Sequence, residues 1–167
     1  TLVSGLRFPN AAEVPDYRAA EYMDEREADM LDRFAQFALI AAREAVADSG
    51  LSVTPELAAR MAVVTGTSAG GKSSEDREFQ SLYAQGATRI HPLTIPRTMA
   101  NAGTSRIARE YGITGPSYTV STACASATHS IGQAFWMVRN GQAEAAIAGG
   151  SEAPFSLGFL KAWEAMR

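Results

Sequence analysis

From Asp29 to Ser49, Met30, Leu31, Phe34, Phe37, Ala38, Ala41, Ala45 and Val46 recur at spacings of three and four. That spacing predicts one amphipathic helix over 29–49, and Gly50 follows as its stop. The pattern changes at "MAVVTG", residues 61–66, a short β-branched run ending in glycine and predicted as a buried strand. Helix-compatible patterns return over 75–85, 97–111, 124–140 and 155–166, with Gly112 and the Asn140-Gly141 pair as stops. "SYTVST" and "AEAAIAGGSE" read as two further strands, and the opening "TLVSGL" as a short apolar strand. Residues 10–24 and "HPLTIPR" are predicted as irregular segments. Strands alternating with helices imply an α/β layered fold with parallel strands. Sites in such sheets gather beyond the carboxyl ends of the strands, here Gly66–Gly71, Ser121–Ser126 and Gly149–Glu152.

Composition narrows the chemistry. At 167 residues, 46% hydrophobic and 20% charged, the chain can bury a core of its own. Its net charge of −3 and lack of a basic block argue against nucleic acid as a partner. No apolar run reaches the roughly 18 residues of a membrane span, and no signal-peptide layout opens the chain, so the cytoplasm is the expected location. One cysteine cannot make an internal disulfide or a four-cysteine zinc site. With His91 and His129 the only histidines, no metal and no cofactor is expected.

That cysteine, Cys124, stands in "TVSTACASATHS", where a strand gives way to a helix. The first turn of a helix offers unpaired N–H groups and the positive end of the dipole, which favour a thiolate. The small neighbours Ala123, Ala125, Ser126 and Ala127 allow a carbonyl to approach, and backbone N–H groups there can hold an oxyanion. A lone cysteine is more often a small buried hydrophobe, so geometry alone leaves both readings open. No base accompanies it. His129, five residues on, lies about 140° around the helix and reads as a buried helix histidine. His91 sits in a loop. "GTSAGGKS", Gly66–Ser73, fits the phosphate-loop spacing after a strand, which makes nucleotide binding an alternative.

The stretch "GITGPSYTVSTACASATHSIGQAFWMVRNGQAEAAIAGGSEA" resembles the nucleophile region of the β-ketoacyl-acyl-carrier-protein synthases. "LDRFAQFALIAAREAVADSGL" and "VVTGTSAGG" resemble two further segments of that family, nearest its type II elongating members, with a nodulation-type role as a possible variant. The resemblance implies a thiolase-like layered fold, of which this chain would be an incomplete N-terminal half, and a homodimer. It implies that Cys124 accepts an acyl group from an acyl-carrier protein, for decarboxylative condensation with malonyl-carrier protein. The family's catalytic histidines, lysine and second oxyanion loop belong to the other half, so condensation by these 167 residues alone is not expected.

By the same resemblance Ala69, Thr94 and Ile95 line the acyl pocket, and Arg26 and Arg89 contact the carrier protein. Asp29 and Met30 replace basic residues at other docking positions, and "DEREAD" reads as a solvated face. Glu152 is expected as a buried structural carboxylate, with Trp136 and Met137 in the core. A non-catalytic, dimer-forming subunit of chain-length-factor type remains the alternative. Such relatives typically lack the nucleophile, and Cys124 is present.

Overall fold

The computed structural model describes residues 5–8 and 10–166; of the strand expected over residues 1–6, residues 1–4 lie outside the described residues and Gly5 and Leu6 are not in a strand. After a 3-10 turn at Ala19–Glu21 come α1 (Glu25–Asp29), α2 (Arg33–Ser49) and α3 (Pro55–Ala58). Next are β1 (Met61–Gly66), α4 (Lys72–Gln85), α5 (Thr94–Thr98) and α6 (Ala102–Glu110). The order closes with β2 (Ser117–Val120), α7 (Ser126–Arg139), β3 (Ala145–Gly150) and α8 (Leu157–Met166).

The three strands form one parallel sheet in the order β2-β1-β3. The central strand is buried along its whole length, and its alternating side chains divide the core in two. Met61 and Val63 join Phe34, Ala35, Leu39 and Ile107 on the side of α2 and α6. Ala62 and Val64 face Ala134 and Met137 of α7 on the other. A period of two along a strand puts successive residues on opposite faces, so helices on both sides of β1 make three layers. Among the described residues no helix is long and apolar enough to cross a membrane.

Several element boundaries differ from the sequence expectation. The helix expected from Asp29 is two helices. Asp32 caps α2, its Oδ1 accepting the Phe34 N–H at 3.2 Å while its Oδ2 accepts the Ser74 N–H at 2.8 Å. This buried carboxylate stops the helix from extending backward and ties it to α4. "HPLTIPR", expected as a loop, holds α5, with Pro96 at its third position. A proline there is tolerated because N–H groups of the first turn need no intrahelical acceptor. The helix expected from 97 starts at Ala102, after Met99 turns the chain to an extended conformation.

"DEREAD" is not simply a solvated face. Asp24 caps α1, accepting the Glu27 N–H at 2.7 Å. Glu27 is largely buried between Arg43, at 3.2 Å, and Arg106, and both arginines also reach Glu110. Burial alone would lower the Arg43 pKa, but its hydrogen bonds to Glu110 and Glu27 outweigh it and hold it above the ordinary arginine range. Met137 is in the core as expected, but Trp136 is 54% exposed. It lies on the outer side of α7 with Ile131 and Phe135, edge-on to the Phe135 ring. His129 is likewise exposed rather than buried, because its helix position faces away from the sheet.

Candidate active site

The cysteine sits on a tight elbow between β2 and α7. Ala123, just before it, takes a left-handed φ of 51°, a conformation costing a non-glycine residue about 1–2 kcal/mol. The cost is met by local bonding. Ser126 Oγ accepts the Thr122 N–H at 2.9 Å and donates to the Ala123 carbonyl at 2.7 Å. The Ala125 N–H donates to Thr122 O and the Ser126 N–H to Ala123 O, both at 3.1 Å. The N–H of Cys124 itself donates to no acceptor among the described residues. The thiol is free and exposed, on the residue two before the first residue of α7.

Below the elbow, α7 rests directly on the sheet. A Cβ on Gly66 would stand 2.4 Å from the Ser126 carbonyl carbon and oxygen. A Cβ on Gly150 would stand 2.6 Å from that of Ala127. Only bare backbone at the ends of β1 and β3 lets the helix come so near. Ser130, fully buried, bonds from Oγ to Gly149 O at 2.6 Å and Ala127 O at 2.7 Å, pinning the next turn to β3. A buried hydroxyl chain runs from Thr65 through Thr104 to Thr119, each step 2.6 Å, and joins β1, α6 and β2.

The loop after β1 carries Ala69, which is half-buried. Gly70 and Gly71 press against the backbone of Arg97, Thr98 and Ala100, so this loop and α5 are neighbours. Helix α5 presents Thr94, buried with its Oγ1 on His91 O at 2.6 Å, and Ile95, 69% exposed. The three residues expected in one pocket therefore occupy adjoining segments. Arg26 and Arg89 are both exposed. Their segments are joined by His91 Nε2, 3.0 Å from Asp29 Oδ2. His91 Nδ1 accepts the Leu93 N–H at 3.1 Å, so the ring proton belongs on Nε2, facing Asp29. That places His91 in a structural role.

The phosphate-loop reading fits this geometry poorly. The Ser68 and Ala69 amides already serve the Glu152 carboxylate, at 2.6 and 3.3 Å, and Lys72 Nζ pairs with Glu75 at 2.7 Å. Glu152 is half-buried rather than buried, because its acceptors turn toward this surface loop.

A family model described as "Beta-ketoacyl synthase, N-terminal domain" matches residues 15–167. The chain belongs to this family. The chain is 36% identical over 146 residues to 3-oxoacyl-[acyl-carrier-protein] synthase 2 of Staphylococcus aureus, covering 87% of this chain and 36% of that protein. Against nodulation protein E of Rhizobium sp. (strain N33) it is 37% identical over 145 residues, with the same two coverages. It thus spans about a third of the length of these curated relatives. In three dimensions it matches a type II polyketide ketosynthase, solved with its acyl-carrier protein and bound to the hexaketide, with a TM-score of 0.80 at 26% identity. That match covers 90% of this chain and 44% of the other, and the layered fold is the thiolase-like one of ketosynthases.

The features the sequence left unseen in this site are the strained Ala123 and the brace from Ser126. Their visible trace is the run of small residues at the strand exits and helix start, a pattern that does not reveal which hydroxyl bonds which carbonyl.

Proposed function

We propose that Cys124 is the acyl acceptor of a condensing enzyme, taking an acyl group from an acyl-carrier protein as a thioester. The sulfur attacks the carrier thioester, the collapsing intermediate expels the carrier thiol with a proton, and the acyl group stays on Cys124. The observation that carries this reading is an exposed thiol on a braced elbow at the start of α7. The unbonded Cys124 N–H supports a place in the oxyanion hole.

Ala69, Thr94 and Ile95 line the acyl pocket in this reading, and Arg26 and Arg89 meet the acidic carrier. The working protein is cytoplasmic and homodimeric, and malonyl-carrier protein supplies the carbanion after losing carbon dioxide. That second half-reaction uses the histidines and lysine that the resemblance assigns to the other half of the family's domain. A non-catalytic subunit of chain-length-factor type is disfavoured by the presence of Cys124.

Intact mass after incubation with acyl-carrier protein tests the proposal. An acyl adduct on the wild type and none on Cys124→Ala supports it. No adduct on either protein refutes acyl transfer by this chain.

A further inference from the structure

Glu152 follows β3, and its carboxylate accepts four hydrogen bonds from three consecutive residues of another segment. Oε1 takes Thr67 Oγ1 at 2.9 Å. Oε2 takes the Ser68 N–H at 2.6 Å, Ser68 Oγ at 2.5 Å and the Ala69 N–H at 3.3 Å. Consecutive amides converging on one anion form a nest of the kind that elsewhere binds phosphate. Here the anion belongs to the chain. The order extends further, because Thr67 Oγ1 also accepts the Gly70 N–H at 3.1 Å. Gly70 and Gly71 in turn lie against the α5 backbone. All four partners of the carboxylate lie in the loop between β1 and α4.

We infer that Glu152 is a positioning residue that sets the acyl-chain selectivity of the site by fixing Ala69. The inference rests on the reading of Cys124 as acyl acceptor and of Ala69 as a residue of its acyl pocket. Charge-assisted hydrogen bonds are the strong class, and two of these four end on backbone N–H groups, so the side chain sets the course of the loop itself. Releasing them frees Ala69 and the loop to shift relative to the α5 backbone against which Gly70 and Gly71 lie. The elbow is untouched, since its bonds run within residues 122–126.

The test compares acylation of Cys124 by hexanoyl- and hexadecanoyl-carrier protein in the full chain. Glu152→Ala is expected to change the ratio of the two rates by about tenfold, the scale of a lost charge-assisted hydrogen bond. Glu152→Gln, which can keep an oxygen at the Oε2 position, restores most of it. Alkylation of Cys124 by iodoacetamide stays within about twofold in both variants, because the elbow is intact. Ser68→Ala, an exposed position, shifts the ratio in the same direction if Glu152→Ala does not fold. An unchanged ratio, or equal losses for both acyl chains together with slower alkylation, overturns the inference. A wild type that accepts neither chain overturns the acyl-acceptor reading itself, a result separable from the others.

Discussion

Replacing Gly66 by alanine tests the seat of the nucleophile. The new Cβ would lie 2.4 Å from the Ser126 carbonyl carbon and oxygen and 2.7 Å from the Ala127 nitrogen, where ordinary contact begins at 3.4 Å. All three atoms are backbone, so no side chain can swing aside, and α7 must withdraw by about 1 Å. Overpacking of this kind costs about 2 kcal/mol, which in a chain of this size lowers Tm by ~4–8 °C. A displacement of ~1 Å at a reacting centre costs on the order of a hundredfold in rate. The assay pairs thermal unfolding with the rate of Cys124 acylation followed by mass. Gly149→Ala is the matched control, because a Cβ there meets nothing within 4 Å. It is expected to leave stability within about 0.5 kcal/mol of wild type. Wild-type stability and rate in Gly66→Ala, or equal damage from both substitutions, would refute the reasoning.

Ala123→Gly relieves a left-handed residue and is expected to leave stability equal or up to about 1 kcal/mol higher, while Ala123→Val lowers it by more than that, as measured by urea unfolding. Thr104→Val strips the middle of the buried hydroxyl chain and leaves Thr65 and Thr119 without their shared partner. The expected loss is about 1–3 kcal/mol by the same measurement. Burial raises the pKa of Tyr17 and Tyr111 above the ordinary tyrosine value. The folded state thus keeps protons that the unfolded chain releases. Stability from this source is complete below about pH 10 and is lost as pH rises further. Urea midpoints from pH 8 to 11 should show that decline, and the double variant Tyr17→Phe, Tyr111→Phe should flatten it.

The order of strands and helices was legible because the apolar residues of α2 recur at three and four and β1 is a short β-branched run, each closed by a glycine. Cys124 stood out as the sole thiol at a strand-to-helix junction. What stayed hidden was long-range. Asp32 reads as one more acidic residue until Ser74, 42 positions later, claims its second oxygen and divides the first long helix. Trp136 looks like core by composition, yet its helix position turns it outward, and a period of 3.6 assigns faces without saying what covers them. Glu152 was visible as a carboxylate near the site, but its partners lie more than 80 residues away in sequence.

The seat of α7 has a consequence for redesign. Gly66 and Gly150 carry the helix through bare backbone, whereas the sulfur of Cys124 is exposed. Scaffold and reagent are therefore written in different positions. A serine or selenocysteine at 124 would inherit the same mounting without disturbing the interior. The neighbouring residues have no such latitude: a gain of one methyl at position 66 cannot be offset by trimming a partner, because the partner is main chain.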